Sequence, residues 1–308
     1  MTQLVAVTGI TGFVGPHLVA ALARRGFKLR LLVRRWSPLP SLASVEADMV
    51  LGDLGDEAAL KRLVDGADVV VHAAGLIKAR QPSDFMTVNR DGTALLSALA
   101  PDARFLLLSS LAAREPQLSP YAASKRAAEE VVAGRSGPWL TIRAPAVYGP
   151  GDRETLAYFR SVAGGLAPRP RMADARLSLI HVADLAQAVA LAVANPPPAS
   201  TYEIDDGKDG GYTYLDMARL AGEAVGRRAW SLAIPRPVMA LLARVNATTN
   251  ALGRSIQILT PAKVNEIFHR DWTIHDRRLA GALGFAPRYD LARGFRETIL
   301  WYRQQGWL

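Results

Sequence analysis

Short apolar runs alternate with helix-patterned stretches over the first half of the chain. Leu4–Thr8, Lys28–Val33, Val69–His72, Phe105–Ser109 and Leu140–Arg143 read as strands. Between them, Gly12–Arg25, Glu57–Val64, Asn89–Ala98 and Pro120–Val132 read as helices. Strands alternating with helices build βαβ units and a parallel sheet. The expected fold class is α/β, with a doubly wound parallel sheet. After Pro150 the rhythm changes. Gly and Pro cluster at 149–151, 164–170, 196–198 and 207–211. Helical segments follow near Arg153–Val162, Val182–Ala194, Tyr214–Val225, Pro261–Phe268 and Leu291–Arg303. Residues 1–150 are therefore expected to form the sheet domain. Residues 151–308 are expected to form mainly a smaller substrate lobe, with segments near 177–194 returning to the main domain.

Glycines mark the first candidate site. Gly9, Gly12 and Gly15 lie in Thr8-Gly-Ile-Thr-Gly-Phe-Val-Gly, which follows the first strand and opens the first helix. Glycine permits the tight turn and lets backbone amides approach a pyrophosphate, and the helix N-terminus adds partial positive charge. This Rossmann-type arrangement makes Gly9, Thr11, Gly12, Phe13, Val14 and Gly15 candidate dinucleotide contacts. The second strand ends on Arg34 and Arg35, and the next acid is Glu46. A carboxylate at the strand end would hold an adenosine ribose through its 2′-hydroxyl. Two arginines instead suit a 2′-phosphate, so NADP is favoured and NAD stays open. The alternative is that either arginine is an ordinary surface charge. Asp53, followed by Leu54, stands where an acid can accept from an adenine amino group, or can simply cap a turn. Ala73, Ala74 and Gly75 end the next strand with side chains small enough for a cofactor to reach the backbone.

Tyr121 and Lys125 mark the second. Positions four apart share a helix face, and Ser119 followed by Pro120 reads as an N-cap and first helical residue. An ammonium beside a phenol favours the phenolate and lowers the phenol pKa. Such a tyrosine can exchange a proton with an alcohol or carbonyl near neutral pH.

Together these motifs resemble the extended branch of the short-chain dehydrogenase/reductase superfamily. The resemblance also rests on Val88–Thr93, Ser109-Ser110, Arg143–Asp152, His181–Ala186 and the closing stretch Gly294–Leu308, and so spans nearly the whole chain. It implies hydride transfer between a nicotinamide and a substrate carbon. Tyr121 would be the acid/base, Lys125 its partner and a ribose ligand, and Ser110 the donor to the substrate oxygen. Ser109 and Asn89 would be structural, and Ala144, Pro145 and Val147 would line the nicotinamide. One departure concerns the substrate: Tyr121 stands only eleven positions after Ser110, a short connection for the nucleotide-sugar enzymes of this branch. The arginine those enzymes place before the His-Val signature is displaced here to Arg176, with Arg169 and Arg171 as substitutes. An apolar alcohol or ketone is therefore expected, as on the sterol-dehydrogenase and dihydroflavonol-reductase side. The apolar residues of Ile234–Val245 are expected in the core rather than in a pocket. Trp301, Trp307 and Leu308 fit an apolar pocket or simple packing.

Composition narrows the classes. The 308 residues carry a net charge of +9, with basic residues scattered rather than aromatic-studded. A basic surface could attract nucleic acid, anionic lipid or anionic small molecules, but nucleic-acid recognition needs clustered basic residues, so no nucleic-acid partner is expected. With no cysteine, thiolate chemistry and disulfides are excluded. The N-terminus shows no signal peptide, and no apolar run reaches the ~20 residues of a membrane span, so a cytoplasmic protein is expected. His269 and His275 lack a third close ligand, so no metal site is expected. Two alternatives remain: a nucleotide-sugar epimerase or dehydratase with tightly held NAD, and a non-catalytic dinucleotide-binding subunit resembling the accessory subunit of respiratory complex I. A homodimer is a family-level expectation.

Overall fold

Strands buried on both faces read as near-continuous apolar runs, and Val69–His72, apolar but for its last residue, is buried at every position. The computed structural model describes residues 2–35, 45–251 and 259–308, and the side chains of 246–251 lie outside the description. In chain order the first elements are β1 (Leu4–Thr8), α1 (Gly15–Ala23), β2 (Lys28–Val33), β3 (Asp48–Leu51), α2 (Glu57–Val64) and β4 (Val69–His72). Then come α3 (Pro82–Phe85), a π-helical turn (Met86–Asp91), α4 (Gly92–Leu99), β5 (Arg104–Ser110), α5 (Pro120–Ala133) and β6 (Trp139–Ala144). The chain continues through β7 (Ala146–Tyr148), α6 (Leu156–Ala163), β8 (Leu166–Pro170), β9 (Arg176–Leu177), β10 (Leu179–His181), α7 (Val182–Ala194) and β11 (Thr201–Glu203). It ends with β12 (Tyr212–Thr213), α8 (Tyr214–Val225), β13 (Trp230–Ile234), α9 (Arg236–Ala251), α10 (Pro261–Ile267), β14 (Asp271–Trp272), α11 (Arg278–Leu283) and α12 (Leu291–Gln304).

The chain divides into two compact units. The first takes the chain up to Ala144 and adds Val182–Ile204 and His275–Ala286. Its sheet has seven strands in the order β11-β6-β5-β4-β1-β2-β3, all parallel. From β1 the chain winds outward through β2 and β3, then returns to the other side of β1 for β4, β5 and β6. This is the doubly wound Rossmann order, and its switch point lies between β1 and β4, where such folds bind ligands at the carboxyl ends of the strands. Leu60, Leu63, Leu96, Phe105 and Val132 pack together on one side of the sheet, and α7 packs against α1.

The second unit comprises Pro145–His181, Asp205–Ile274 and Pro287–Leu308. Its core gathers Tyr148, Phe159, Phe295 and Tyr302, with Phe159 edge-on to Phe295 at 4.9 Å between ring centroids. Trp301 and Trp307 pack edge-on to each other at 4.9 Å, so these closing aromatics serve packing.

Several boundaries differ from the sequence expectation for local reasons. Helix α1 starts at Gly15 rather than Gly12, because Gly12 N–H closes a turn on the Gly9 carbonyl (3.1 Å). The helix expected from Asn89 is split, with Asn89 in the π-helical turn and α4 starting at Gly92. Such turns insert an extra residue into the helix. Strand β3 is a four-residue edge strand, and its apolar run of Met49–Leu51 is too short to announce it.

Candidate active site

The phosphate-loop glycines differ in what requires them. Gly9 has φ of 81°, the left-handed region, and a Cβ there would lie 2.5 Å from the Ala73 carbonyl carbon and the Ala74 nitrogen. At Gly15 a Cβ would overlap the Gly9 carbonyl and the Ile10 backbone. Both glycines are demanded by the fold. Gly12 is exposed, and its Cβ would meet only the Gly9 carbonyl oxygen, at 3.3 Å. A Cβ at Gly12 would crowd that backbone oxygen by a few tenths of an ångström and meet nothing else, so this exposed position leaves room for something outside the chain. Beside it, α1 begins without a side-chain cap and without an acid in its first turn. Uncapped N–H groups and the helix dipole favour an anion there. The turn thus fits a pyrophosphate, with exposed Thr11 and half-buried Phe13 and Val14 on its rim.

A buried histidine fixes this turn against the switch point. Ala74 N–H donates to Thr8 Oγ1 (3.2 Å), and the Thr93 hydroxyl donates to the Asn89 carbonyl (2.6 Å). Thr93 Oγ1 must then accept from His72 Nε2–H (2.9 Å). His72 Nδ1 in turn accepts from the Thr8 hydroxyl (2.7 Å). The network assigns a neutral Nε2–H imidazole. Burial above all, with Lys125 secondary, pushes its pKa from 6.5 down to about 3. A histidine base depressed on folding leaves the unfolded chain binding more protons below pH 6.5, so stability falls as pH drops. Between about pH 7 and pH 5 we expect a loss of roughly 2 kcal/mol from this group. Denaturant titration should show that slope, and it should be flattened in His72→Gln.

Arg34 and Arg35 follow the end of β2 and are exposed, and neither forms an ion pair among the described residues. Asp53, also exposed, accepts from Gly55 N–H (2.8 Å) and closes an Asx turn after β3. Half-buried Leu54 packs over Gly92. Ala73, Ala74 and Gly75 follow β4, and a Cβ on Gly75 would approach Asn89 Oδ1 to 2.9 Å.

The second group lies on β5, β6 and α5. Ser110 ends β5 in register with Ala144 on β6, and its hydroxyl accepts from Ala112 N–H (3.2 Å). Ser119 caps α5, accepting from Ala122 N–H (3.0 Å), with Pro120 at the first helical position. Tyr121, Lys125 and Glu129 then follow at helical i, i+4 and i+8 spacing along one face. Lys125 is buried, and its ammonium donates to the Leu108 carbonyl of β5 (2.9 Å). Burial lowers its pKa to about 8, against the opposing pull of Glu129. Phe85 meets the Tyr121 ring edge-on at 6.1 Å between centroids.

Two polar groups brace this face. Asn89 Oδ1 accepts from Leu76 N–H (2.7 Å). Its Nδ2 donates to the Leu76 carbonyl (3.0 Å) and to Ser124 Oγ (2.8 Å), and Ser124 donates onward to the Tyr121 carbonyl (2.7 Å). With both amide hydrogens and an oxygen lone pair engaged, Asn89 is an anchor. Sequence reasoning missed Glu129, which is buried. Its carboxylate accepts from Arg143 Nε (2.9 Å) and Nη2 (2.6 Å) and from Ser109 Oγ (2.6 Å). Arg143 is also 3.8 Å from Glu203 of β11. The spacing from Lys125 was the available signal: a carboxylate one turn further along the same face. His72 was missed for lack of any pattern, since it closes an otherwise apolar strand.

Pro145 and Val147 belong to the second unit, where Val147 pairs with Ile180 in β10. His181 stacks on Tyr289 at 4.0 Å in the same unit. Of the arginines considered for a diphosphate, Arg169 donates to Ser231 Oγ (2.9 Å) and Arg176 to the Gly210 carbonyl (3.3 Å). Both are engaged in holding their own strands.

Relatives identify the family. Over 307 residues the chain is 41% identical to a ceramide reductase of Caulobacter vibrioides (strain NA1000 / CB15N), covering 99% of this chain and 96% of that protein. It is 30% identical to 4-hydroxy-2-methyl-3-oxo-4-farnesyl-3,4-dihydroquinoline-1-oxide ketoreductase of Stigmatella aurantiaca, covering 65% of this chain and 67% of that one. A solved dTDP-glucose 4,6-dehydratase of Streptomyces venezuelae with NAD bound superposes with a TM-score of 0.76 at 22% identity, over 99% of this chain and 98% of that one, a likeness of fold. A family model matches residues 5–204, and the chain therefore belongs to the NAD dependent epimerase/dehydratase family, whose members here include reductases and dehydrogenases.

Proposed function

We propose that the protein is an NADP-dependent reductase of an apolar, long-chain carbonyl compound, with a keto-lipid of the ceramide type as its substrate class. The observation that carries this is the Lys125 bond to the Leu108 carbonyl. It draws the Tyr121–Lys125 face of α5 onto the end of β5 that bears Ser110. The 41% identical ceramide reductase supports the substrate class, and the engaged Arg169 and Arg176 argue against a diphosphate ligand.

The dinucleotide, when bound, supplies a hydride to the carbonyl carbon. Gly9–Gly15 and the start of α1 hold its pyrophosphate, and Arg34 and Arg35 hold the 2′-phosphate. Asp53, Leu54 and Ala73–Gly75 border the adenosine end. Ala144, at the end of β6, would border the nicotinamide. Ser110 donates a hydrogen bond to the carbonyl oxygen as negative charge develops there. Tyr121 delivers the proton that turns that oxygen into a hydroxyl. Lys125, charged below pH of about 8, favours the phenolate Tyr121 leaves behind.

Binding titrations with both dinucleotides test the cofactor assignment. Arg34→Ala/Arg35→Ala should weaken NADPH by roughly tenfold or more, since hydrogen bonds to charged groups are the strong ones, and leave NADH nearly unchanged. Equal losses would remove the 2′-phosphate role. A panel of keto-lipids with NADPH tests the reaction. Tightly retained NAD with no net NADPH consumption on any of them would replace this reading with that of an epimerase or dehydratase.

A further inference from the structure

Helix α9 has two apolar faces, and its own fold covers one. Met239 and Ala243 are buried against Val264 of α10. Successive residues turn by about 100° around a helix, which places Leu242, Val238, Val245 and Leu241 in one stripe beside the buried pair, with Leu241 directly opposite it. These four are 48%, 61%, 51% and 52% exposed. The sequence expectation of core placement for this segment therefore holds for Met239 and Ala243 and fails for Leu241 and Leu242. A helix apolar all round is ordinarily buried, and a contiguous exposed apolar stripe marks an interaction surface.

The charge around it selects the occupant. From Ala224 to Asn265 the chain has no Asp or Glu but six basic residues: Arg227, Arg228, Arg236, Arg244, Arg254 and Lys263. Arg228 and Arg244 are exposed, as is Trp230, at 74%. Apolar residues on one face, flanking arginines and a tryptophan are the features of helices that lie in a lipid interface. A two-fold contact with a second copy would set this acid-free stretch against its own like charges. An anionic bilayer supplies the opposite sign. No described helix is long and apolar enough to cross a membrane, so the contact is with the surface.

We propose that α9 docks the protein on anionic phospholipid membranes through Val238, Leu241, Leu242 and Val245, with Arg228 and Arg244 reaching the headgroups. This goes beyond the reductase reading and stands without it. Vesicle flotation of the full chain tests it. Vesicles of equimolar phosphatidylglycerol and phosphatidylcholine should capture the protein at low salt and release most of it at high salt. Pure phosphatidylcholine should capture little. Leu241→Ser/Leu242→Ser should lower capture roughly tenfold with unchanged thermal melting, and Arg228→Gln/Arg244→Gln should lower it at low salt. Three results would overturn the proposal: no capture of the wild-type chain, equal capture by both vesicle types, or full capture of the leucine variant. A dimer lost in the leucine variant, without vesicle capture, would likewise overturn it and assign the face to a second copy. NADPH turnover of a water-soluble ketone, read in parallel, separates failure of docking from failure of the reductase assignment.

Discussion

Tyr121→Phe should reduce turnover by about 10²–10⁴-fold, the range for loss of a positioned general acid, while dinucleotide affinity changes little. The substitution removes one hydroxyl and keeps the ring that meets Phe85. The anchors of this helix turn are main-chain and neighbouring groups: Ser119 at the cap, and Asn89 through Ser124 to the Tyr121 carbonyl. Phenylalanine keeps all of these bonds. The variant should therefore melt like the wild type and bind NADPH in a fluorescence titration. Steady-state assay with a keto-lipid would show kcat lost and KM nearly kept. Unchanged turnover would remove Tyr121 from the chemistry and leave Ser110 without a proton donor beside it. A variant that loses affinity and turnover together would show that the phenol positions the dinucleotide rather than the proton.

Much of the first unit is legible in the sequence because its strands are buried on both faces. β1 and β4 are near-continuous apolar runs and β2 is apolar apart from Lys28 and Arg30, and the expected limits of all three match the structure at each end. The cap of α5 is equally readable, since Ser119 and Pro120 act through local geometry alone. What escapes the sequence depends on partners distant along the chain. The first unit recruits α7, β11 and α11 from beyond Ala144; the expected return of segments near 177–194 takes in α7, but no local pattern announces β11 or α11. The site divides in the same way. Gly9 and Gly15 are visible as a motif, but only the packed structure shows that the fold requires them while Gly12 is exposed and meets only the Gly9 carbonyl oxygen. Asp53, legible as adenine ligand or turn residue, closes a turn on Gly55. The pattern of α9 gives a helix and its apolar residues, but the tertiary contacts decide which of those face α10.

The largest stability effect should come from Glu129→Ala. The carboxylate neutralises Arg143 through two hydrogen bonds and accepts a third from Ser109. Its removal leaves a mostly buried guanidinium and a buried hydroxyl without their acceptor. Breaking one half of a buried ion pair costs about 3–5 kcal/mol. The lower end applies, because Arg143 keeps Glu203 at 3.8 Å. At about 3 kcal/mol, the melting midpoint of a chain this long should drop by roughly 5 °C, measurable by calorimetry. Adding Arg143→Met should recover part of the loss, since the stranded charge is then gone. If the double variant is no more stable than Glu129→Ala, the cost lies in the cavity and not in the charge. The same carboxylate raises the Lys125 pKa against burial, so Glu129→Gln, which keeps the shape without the charge, should let that pKa fall below its wild-type value of about 8. The alkaline limb of the kcat/KM profile, where it reports Lys125 losing its proton, should move to lower pH. A purely structural Glu129 would leave that limb in place while the protein became less stable. Movement of the limb identifies Glu129 as the group that keeps Lys125 charged one helical turn from Tyr121.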